Sequence, residues 1–401
     1  MLKIGIYGGT FSPPHLGHVN AARCALEYLA LDKLLFVPTA LPPHKELPPG
    51  SPTPEQRAAM TRIAADQVGC PERVETAELE LHRPGPSYTA DTLRALRTRY
   101  PDGELWVLMG SDMFLTLQDW HAPEEIMALA GICAFDRTQA GCDRLEEQAD
   151  YLRERYHAKV EILPLDGRIE VSSTQLRAKL AAGGGGEGLS PAVYGYILLH
   201  RLYGTQADLK HLNEEDLRCC SYSMIRAKRI PHIHGTEEEA VRLAQHWGAC
   251  ETDARRAGIL HDCTKYLSLK EQLDLCRKYH VELDELEEQA VKLLHSKTGA
   301  CIARYVFGEN DDIYNAIFWH TTGKANMTCL EKILYLADYI EPNRDFPGVE
   351  ELRALAYQDL DAAMLRGLEM SIRDLTQRGV SVHRHTMEAR NWFDTKLHTK
   401  T

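Results

Sequence analysis

Three things are scarce in this sequence. No apolar run approaches the roughly 18 residues that a membrane-spanning helix needs, so no membrane partner is expected. There is no CxxC pair: the 11 cysteines are an odd number, scattered, with Cys219 and Cys220 adjacent. That excludes a regular disulfide framework and reads as reduced thiols in a cytoplasmic protein. Basic charge is also short: 46 Lys and Arg against 58 Asp and Glu leave a net charge of -12. Such a chain is poorly suited to wrapping a nucleic-acid backbone, so no nucleic acid is expected. Local donors could still hold small anions. The opening MLKIGIYGG reads as a strand and a glycine turn, with no signal-peptide pattern.

What is present is ordinary in bulk. The 401 residues are 44% hydrophobic and 26% charged, near globular averages, which argues against a disordered, collagenous or coiled-coil chain. The length suggests two or three domains, none needing a metal merely to fold. No internal repeat is visible, and a homo-oligomer is left open.

The two halves differ in rhythm. In residues 1–204, LKIGIY (2–7), KLLFVP (33–38), ELWVLMG (104–110), GICAFD (131–136) and KVEILPL (159–165) read as buried strands. Helical patterns such as EQRAAMTRIAADQV (55–68) and TADTLRALRTRY (89–100) lie between them. This alternation predicts an α/β, Rossmann-like domain with a parallel sheet covered on both faces. From about 212 onward every segment carries helical periodicity, which predicts an all-α domain. The GGGG at 183–186 is read as a loop, because SPAVYGYILLHRLYG (190–204) is a further helix for the first domain to bury. The expected boundaries are a domain at 1–204, a linker at 205–213 and a domain at 214–401.

The first chemical signal is KIGIYGGTFSPPHLGH. A strand ends at Gly8-Gly9-Thr10 and a helix begins near Gly17. Glycines allow a phosphate close to the backbone, and a helix N-terminus favours anions. His15 and His18, three apart, can face one phosphate. The turn is neither a Walker A loop nor a GxGxxG fingerprint. In its GGTFxPPHxGH context it resembles the nucleotidylyltransferase superfamily with the HxGH signature. Pro43-His44-Lys45, SYTADTL (87–93), MGSDMFLTLQDW (109–120) and VSSTQLR (171–177) narrow the likeness to the bacterial nicotinate-mononucleotide adenylyltransferase family. The likeness covers nearly all of 1–204, with Ser12 standing where many members have Asp.

The resemblance implies transfer of AMP from ATP to nicotinate mononucleotide, giving deamido-NAD and pyrophosphate, with Mg²⁺ carried by ATP. Gly8, Gly9, Thr10 and Phe11 would form the nucleotide-binding turn. His15 and His18 would hold phosphates and stabilise the transition state, while Lys45 offsets charge beside His44. Ser172, Ser173 and Thr174 would offer hydroxyls and helix-start amides, and Arg177 a guanidinium. Tyr88, Thr89, Gly110, Asp112 and Trp120 would line the acceptor and nucleotide pocket, with Trp120 stacking on the nicotinate ring. Taken singly, SST before a helix is most often a plain N-cap, and a Trp after a helix is more often core.

The second signal is the ordered set His232, His261-Asp262, His295, His320 and Asp338. His with carboxylate suits a borderline metal such as Fe or Mn better than Ca²⁺. An Asp can bridge two metals, and a two-metal site about 3.5–4 Å across can clamp a phosphate and generate hydroxide. HD alone is weak among 18 histidines. The contexts RIPHIHG (229–235), AGILHDCTKYL (257–267), LLHSKTGA (293–300), WHTTGKANM (319–327) and YLADYIEPNRDFPG (335–348) add weight. The set resembles the HD-domain phosphohydrolase superfamily, and within it the bacterial YqeK-type family of symmetrical diadenosine tetraphosphatases, over roughly 214–395.

That resemblance implies hydrolysis of diadenosine tetraphosphate to two ADP at a dinuclear Fe or Mn site. The RxxHxxG spacing from Arg229 to Gly235 selects His232 over His234. His232, His261, Asp262 and Asp338 would hold one metal, and His295 and His320 a second, with Asp262 bridging. Lys265 would contact substrate phosphate, with Arg344 a weaker candidate. Two rival readings stand beside this one. The HD half could be a nucleotide-sensing regulatory module, and the first half's acceptor could be nicotinamide mononucleotide or pantetheine phosphate.

Overall fold

The computed structural model describes residues 1–43, 46–136, 142–165 and 171–399. The chain divides into two units, Met1–Gln206 and Ala207–Thr401. The GGGG run lies within the first.

In chain order the first unit contains β1 (Lys3–Gly9), α1 (Leu16–Tyr28), β2 (Lys33–Pro38), α2 (Pro54–Asp66), β3 (Val74–Thr76), α3 (Thr89–Arg99) and β4 (Glu104–Gly110). It continues with α4 (Ser111–Phe114), α5 (Pro123–Leu129), β5 (Gly131–Asp136), α6 (Cys142–Tyr156), β6 (Val160–Pro164), α7 (Ser173–Ala181) and α8 (Pro191–Leu199). The sheet order is β3-β2-β1-β4-β5-β6, with every pairing parallel. Strand β3 has no counterpart among the runs read from the sequence. It is three residues at the sheet edge with only Val74 buried, so it carries no apolar run.

Period-two alternation explains the layering. Tyr7, Leu34, Phe36, Trp106, Leu108, Cys133 and Phe135 share one buried cluster with residues of α1, α2, α7 and α8. Their neighbours Ile6, Leu35, Val37, Leu105, Val107, Ile132 and Ala134 share the other with α3, α5 and α6. Each fully buried large aliphatic side chain contributes about 1.5–3 kcal/mol of transfer free energy. After β1 the chain crosses to β2 on one side, and from β3 it returns to β4 on the other. That reversal between β1 and β4 is where parallel α/β sheets bind ligands, at the carboxyl ends of their strands.

The second unit contains α9 (Glu214–Ser223), α10 (Ile230–Trp247), α11 (Glu251–Leu260), α12 (Leu269–Lys278) and α13 (Val291–Tyr305). It ends with α14 (Asp311–Trp319), α15 (Cys329–Ile340), α16 (Val349–Ala356), α17 (Leu360–Gln377) and α18 (Arg384–His398). Its described residues contain no strand. Capping boxes at Ser268/Glu271 and Thr328/Glu331 start α12 and α15. Helix α15 buries Leu330, Ile333, Leu334 and Ala337, a spacing that presents one apolar stripe to the core and carries Asp338 at its last turn. Among the described residues, no helix is long and apolar enough to cross a membrane.

Candidate active sites

The first site is built where β1 ends. A side chain at Gly8 would meet nothing within 4 Å, so the space above the turn is open. Phe11, at φ +45°, is buried against Tyr7 and Phe36, and its ring also lies beneath Gly9 and edge-on to His18, 5.2 Å between ring centres. His15 caps α1, and its backbone N–H donates to His18 Nδ1 at 3.1 Å. In the neutral ring that leaves the proton of His18 on Nε2, where it can serve an anion. The two imidazoles lie 3.7 Å apart by ring centre. His15 is buried and His18 half-buried.

The start of α7 comes to the same turn. Arg177 Nη1 donates to Ser12 O at 2.7 Å and Nη2 to Thr174 Oγ1 at 3.0 Å, while Ser173 Oγ donates to Pro13 O at 3.2 Å. Ser172 is the N-cap residue of α7, but its side chain makes no capping bond. The structure thus brings His15, His18, Ser173, Thr174 and Arg177 to one edge of the sheet. His44 and Lys45 lie outside the described residues.

The expected pocket residues lie at the end of β4, the starts of α3 and α4 and the segment before α5. Gly110 closes β4, and exposed Asp112 opens the short α4. Tyr88 caps α3, and Thr89 begins it. Ser87 ties this helix start to the segment after β2, its N–H donating to Leu41 O at 2.9 Å. The Tyr88 ring lies 4.3 Å from that of His121, a residue without a sequence signal of its own. Trp120 is half-buried and packs on the α3/α5/α6 side of the core.

Arg57 is the larger omission. It is completely buried on α2, and its guanidinium donates to Thr10 O (2.9 Å), Thr39 O (2.6 Å) and Ala40 O (2.9 Å). The sequence did hold a signal. Arg57 lies on the stripe of Met60, Thr61, Ala64 and Ala65, the buried face of its helix.

The second site gathers five helices' worth of ligand atoms around one carboxylate. Asp262 Oδ1 faces His295 Nε2 at 3.1 Å and His320 Nε2 at 3.9 Å. Its Oδ2 faces His261 Nε2 at 3.7 Å and His232 Nε2 at 3.8 Å. Asp338 Oδ1 joins the second pair, 3.1 Å from His232 and 3.8 Å from His261. His232–His261–Asp262 and Asp262–His295–His320 each bring their ligand atoms within 4.8 Å of one another. His234 is exposed and pairs with Glu238 at 3.4 Å instead.

Outer bonds fix the rings. His261 Nδ1 donates to Gly258 O and His320 Nδ1 to Ile317 O, both at 2.7 Å. His232 Nδ1 meets Glu341 Oε1 at 3.0 Å. Each bond turns the Nε2 lone pair toward the cluster. Burial pushes the imidazole pKa of His261 down to about 4 and that of His320 to about 3. Burial alone would raise Asp262, but His261, His295 and Lys265 outweigh it and hold the carboxylate well below its usual range. Neutral imidazoles beside ionised carboxylates are the protonation states that bind a borderline divalent metal, so the residues fit the expected pair of ions.

Three cations surround these carboxylates. Lys265 Nζ meets Asp262 Oδ1 at 3.1 Å, Arg229 Nε meets Oδ2 at 2.8 Å, and Arg344 Nη2 meets Asp338 Oδ1 at 2.7 Å. Arg229 and Glu341 had been read only as parts of motifs. A further group, His383 with Asp284 and Glu287, differs in kind. His383 Nδ1 accepts the His385 N–H at 3.3 Å, so Nε2 carries the proton and donates to Asp284 at 3.0 Å. Lys297 neutralises Glu287 at 2.7 Å. That set is satisfied internally and pins the start of α18.

Comparison with known proteins agrees with this division. A family described as Cytidylyltransferase-like matches residues 6–179, and one described as HD domain matches 229–343. A probable nicotinate-nucleotide adenylyltransferase of Gloeobacter violaceus is 38% identical over 209 residues, covering 51% of this chain and 98% of its own. One of Pseudomonas aeruginosa is 38% identical over 212 residues, covering 50% of this chain and 97% of its own. A solved structure described as a predicted HD superfamily hydrolase involved in NAD metabolism, from Clostridium acetobutylicum, is 37% identical. It covers 46% of this chain and 98% of its own, with a TM-score of 0.45. By these matches the chain belongs to the nicotinate-nucleotide adenylyltransferase family, with an HD domain following in the same polypeptide.

Proposed function

We propose that the chain is a bifunctional enzyme. Its first unit transfers AMP from ATP to nicotinate mononucleotide, releasing pyrophosphate, and its second hydrolyses diadenosine tetraphosphate to two ADP as a YqeK-type enzyme. The observation that carries the first assignment is the meeting of His15, His18 and Arg177 on one turn at the strand ends. In-line attack of the acceptor phosphate on the α-phosphorus needs positioning and charge neutralisation more than covalent chemistry. His18 Nε2–H and the Arg177 guanidinium donate to the phosphate oxygens, and His15 supports the same charge. Thr174 and the first amides of α7 bind the triphosphate tail, which arrives with Mg²⁺. Tyr88, Thr89, Asp112 and Trp120 hold the acceptor, taken as nicotinate mononucleotide because the relatives are named for nicotinate nucleotide.

For the second unit the carrying observation is the division of Asp262, one oxygen toward each histidine pair. His232, His261, Asp262 and Asp338 would hold one ion, and Asp262, His295 and His320 another. Divalent ions bound there would supply a water of lowered pKa and offset phosphate charge. Fe and Mn suit the donor set. Lys265, Arg229 and Arg344 then bind the polyphosphate.

The test measures pyrophosphate release with ATP and each of nicotinate mononucleotide, nicotinamide mononucleotide and pantetheine phosphate. A higher kcat/KM for either rival acceptor overturns the first assignment. In parallel, the metal-loaded chain is given diadenosine tetraphosphate. Binding without ADP formation replaces the hydrolase with a nucleotide sensor.

A further inference from the structure

The turn that would take the anionic substrates has an electrostatic difficulty. Peptide carbonyls are acceptors, and any that face a phosphate repel it. Here three of them are engaged by side-chain donors. Thr10 O accepts from Arg57 Nη1 at 2.9 Å, Ser12 O from Arg177 at 2.7 Å and Pro13 O from Ser173 Oγ at 3.2 Å. Arg57 also takes Thr39 O at 2.6 Å and Ala40 O at 2.9 Å, beyond the end of β2. One side chain on α2 thus joins the turn after β1 to the segment after β2.

Arg57 is completely buried, so it cannot touch a substrate. A buried cation is costly to desolvate, and burial lowers its pKa. Only a guanidinium keeps its charge there and offers a planar fork wide enough for three carbonyls. Lys has one nitrogen and cannot span them. A merely space-filling role at this position would be served by Met or Leu, as at its helix neighbour Met60.

We infer that Arg57 is a positioning residue for adenylyl transfer: it draws the carbonyls of Thr10, Thr39 and Ala40 inward and holds the turns after β1 and β2 in register for the anionic substrates. This rests on the adenylyl-transfer reading of the first unit. Arg57 acts on both turns at once, so its loss alters the binding of ATP and of the acceptor together with turnover. Misplacement of a site by about 1 Å costs about 100-fold in rate, and a loss of that size in kcat/KM is expected for Arg57→Met.

The test uses the full chain with Arg57→Met and Arg57→Lys, each followed by circular dichroism, thermal melting and steady-state pyrophosphate release. The expected result is a raised KM for both substrates with a lowered kcat in the folded protein. Lys should restore less than about a tenth of the loss, because one nitrogen does not replace the fork and a buried ammonium gives up its charge more readily than a guanidinium. Arg57→Gly with added guanidinium ion should recover turnover in a saturable way. If Arg57→Met does not fold, the Lys variant and the guanidinium rescue decide. A lowered kcat with unchanged KM means only a smaller folded fraction, and overturns the inference. So does full activity in Arg57→Lys. If the unsubstituted chain itself releases no pyrophosphate, the functional reading fails, which is a different result from transfer with unsplit kinetics.

Discussion

Replacing Glu341 with Ala should weaken metal binding in the second unit without removing a ligand. Glu341 is 1% exposed, and its Oε1 lies 3.0 Å from His232 Nδ1. Its Oε2 accepts from Asn343 N at 2.7 Å and from Asn343 Nδ2 at 2.8 Å, so the carboxylate is held on both sides. It fixes the His232 tautomer with the proton on Nδ1 and makes Nε2 a better donor to a metal. Loss of such an outer partner costs about 10–100-fold in metal affinity, or about 1.4–2.8 kcal/mol. Glu341→Gln keeps an acceptor near His232 and should lose less than Ala. Gly235 supplies an independent route to the same effect. A Cβ there would sit 2.3 Å from Glu341 Oε2, so Gly235→Ala must displace the carboxylate. The assay is competition for Mn²⁺ between the metal-stripped chain and a chromogenic chelator. If Glu341→Ala binds Mn²⁺ within twofold of the unsubstituted chain, the account of His232 is wrong.

Three further outcomes are expected. His18→Ala should abolish pyrophosphate release and spare ADP formation, while Asp262→Ala does the reverse; loss of both activities from either change contradicts the two-site reading. In the metal-stripped chain, His261 and His320 sit at about 4 and about 3 against roughly 6.5 for an exposed imidazole. Between those values the unfolded chain binds more protons, so stability is complete above about pH 6.5 and declines as pH falls toward 4. The gap for His261 alone is worth on the order of 3 kcal/mol, and melting temperatures that stay flat from pH 7 to 4.5 would refute it. Glu237, 1% exposed, accepts from Arg218 at 2.7 and 2.8 Å and from Arg255 at 3.1 Å. Removing this shared carboxylate in Glu237→Ala should destabilise the unit by about 2–4 kcal/mol in urea titration.

The sheet was legible wherever a strand is buried on both faces, because such strands are written as unbroken apolar runs. Strand β3 escaped because only Val74 is buried. The helical half was legible from period alone. For the sites, chemistry concentrated in short motifs could be read directly, as with His15 and His18 or His261 and Asp262. Residues acting through others could not. Arg57 resembles any helix arginine until its place on the apolar stripe is noticed. Glu341 is one acid among 58 until folding brings it to His232. His121 becomes visible only through the ring it meets, since no local pattern links it to Tyr88.

The place of β1 in the sheet has a consequence for motion. It is hydrogen-bonded along both edges, to β2 on one side and β4 on the other. Its amides should therefore be among the slowest in the first unit to exchange with deuterium, and those of the three-residue edge strand β3 among the fastest. The glycine turn therefore hangs from a strand held on both edges, which keeps its anchor closed. Fraying, when it comes, begins at β3, where no candidate catalytic residue resides.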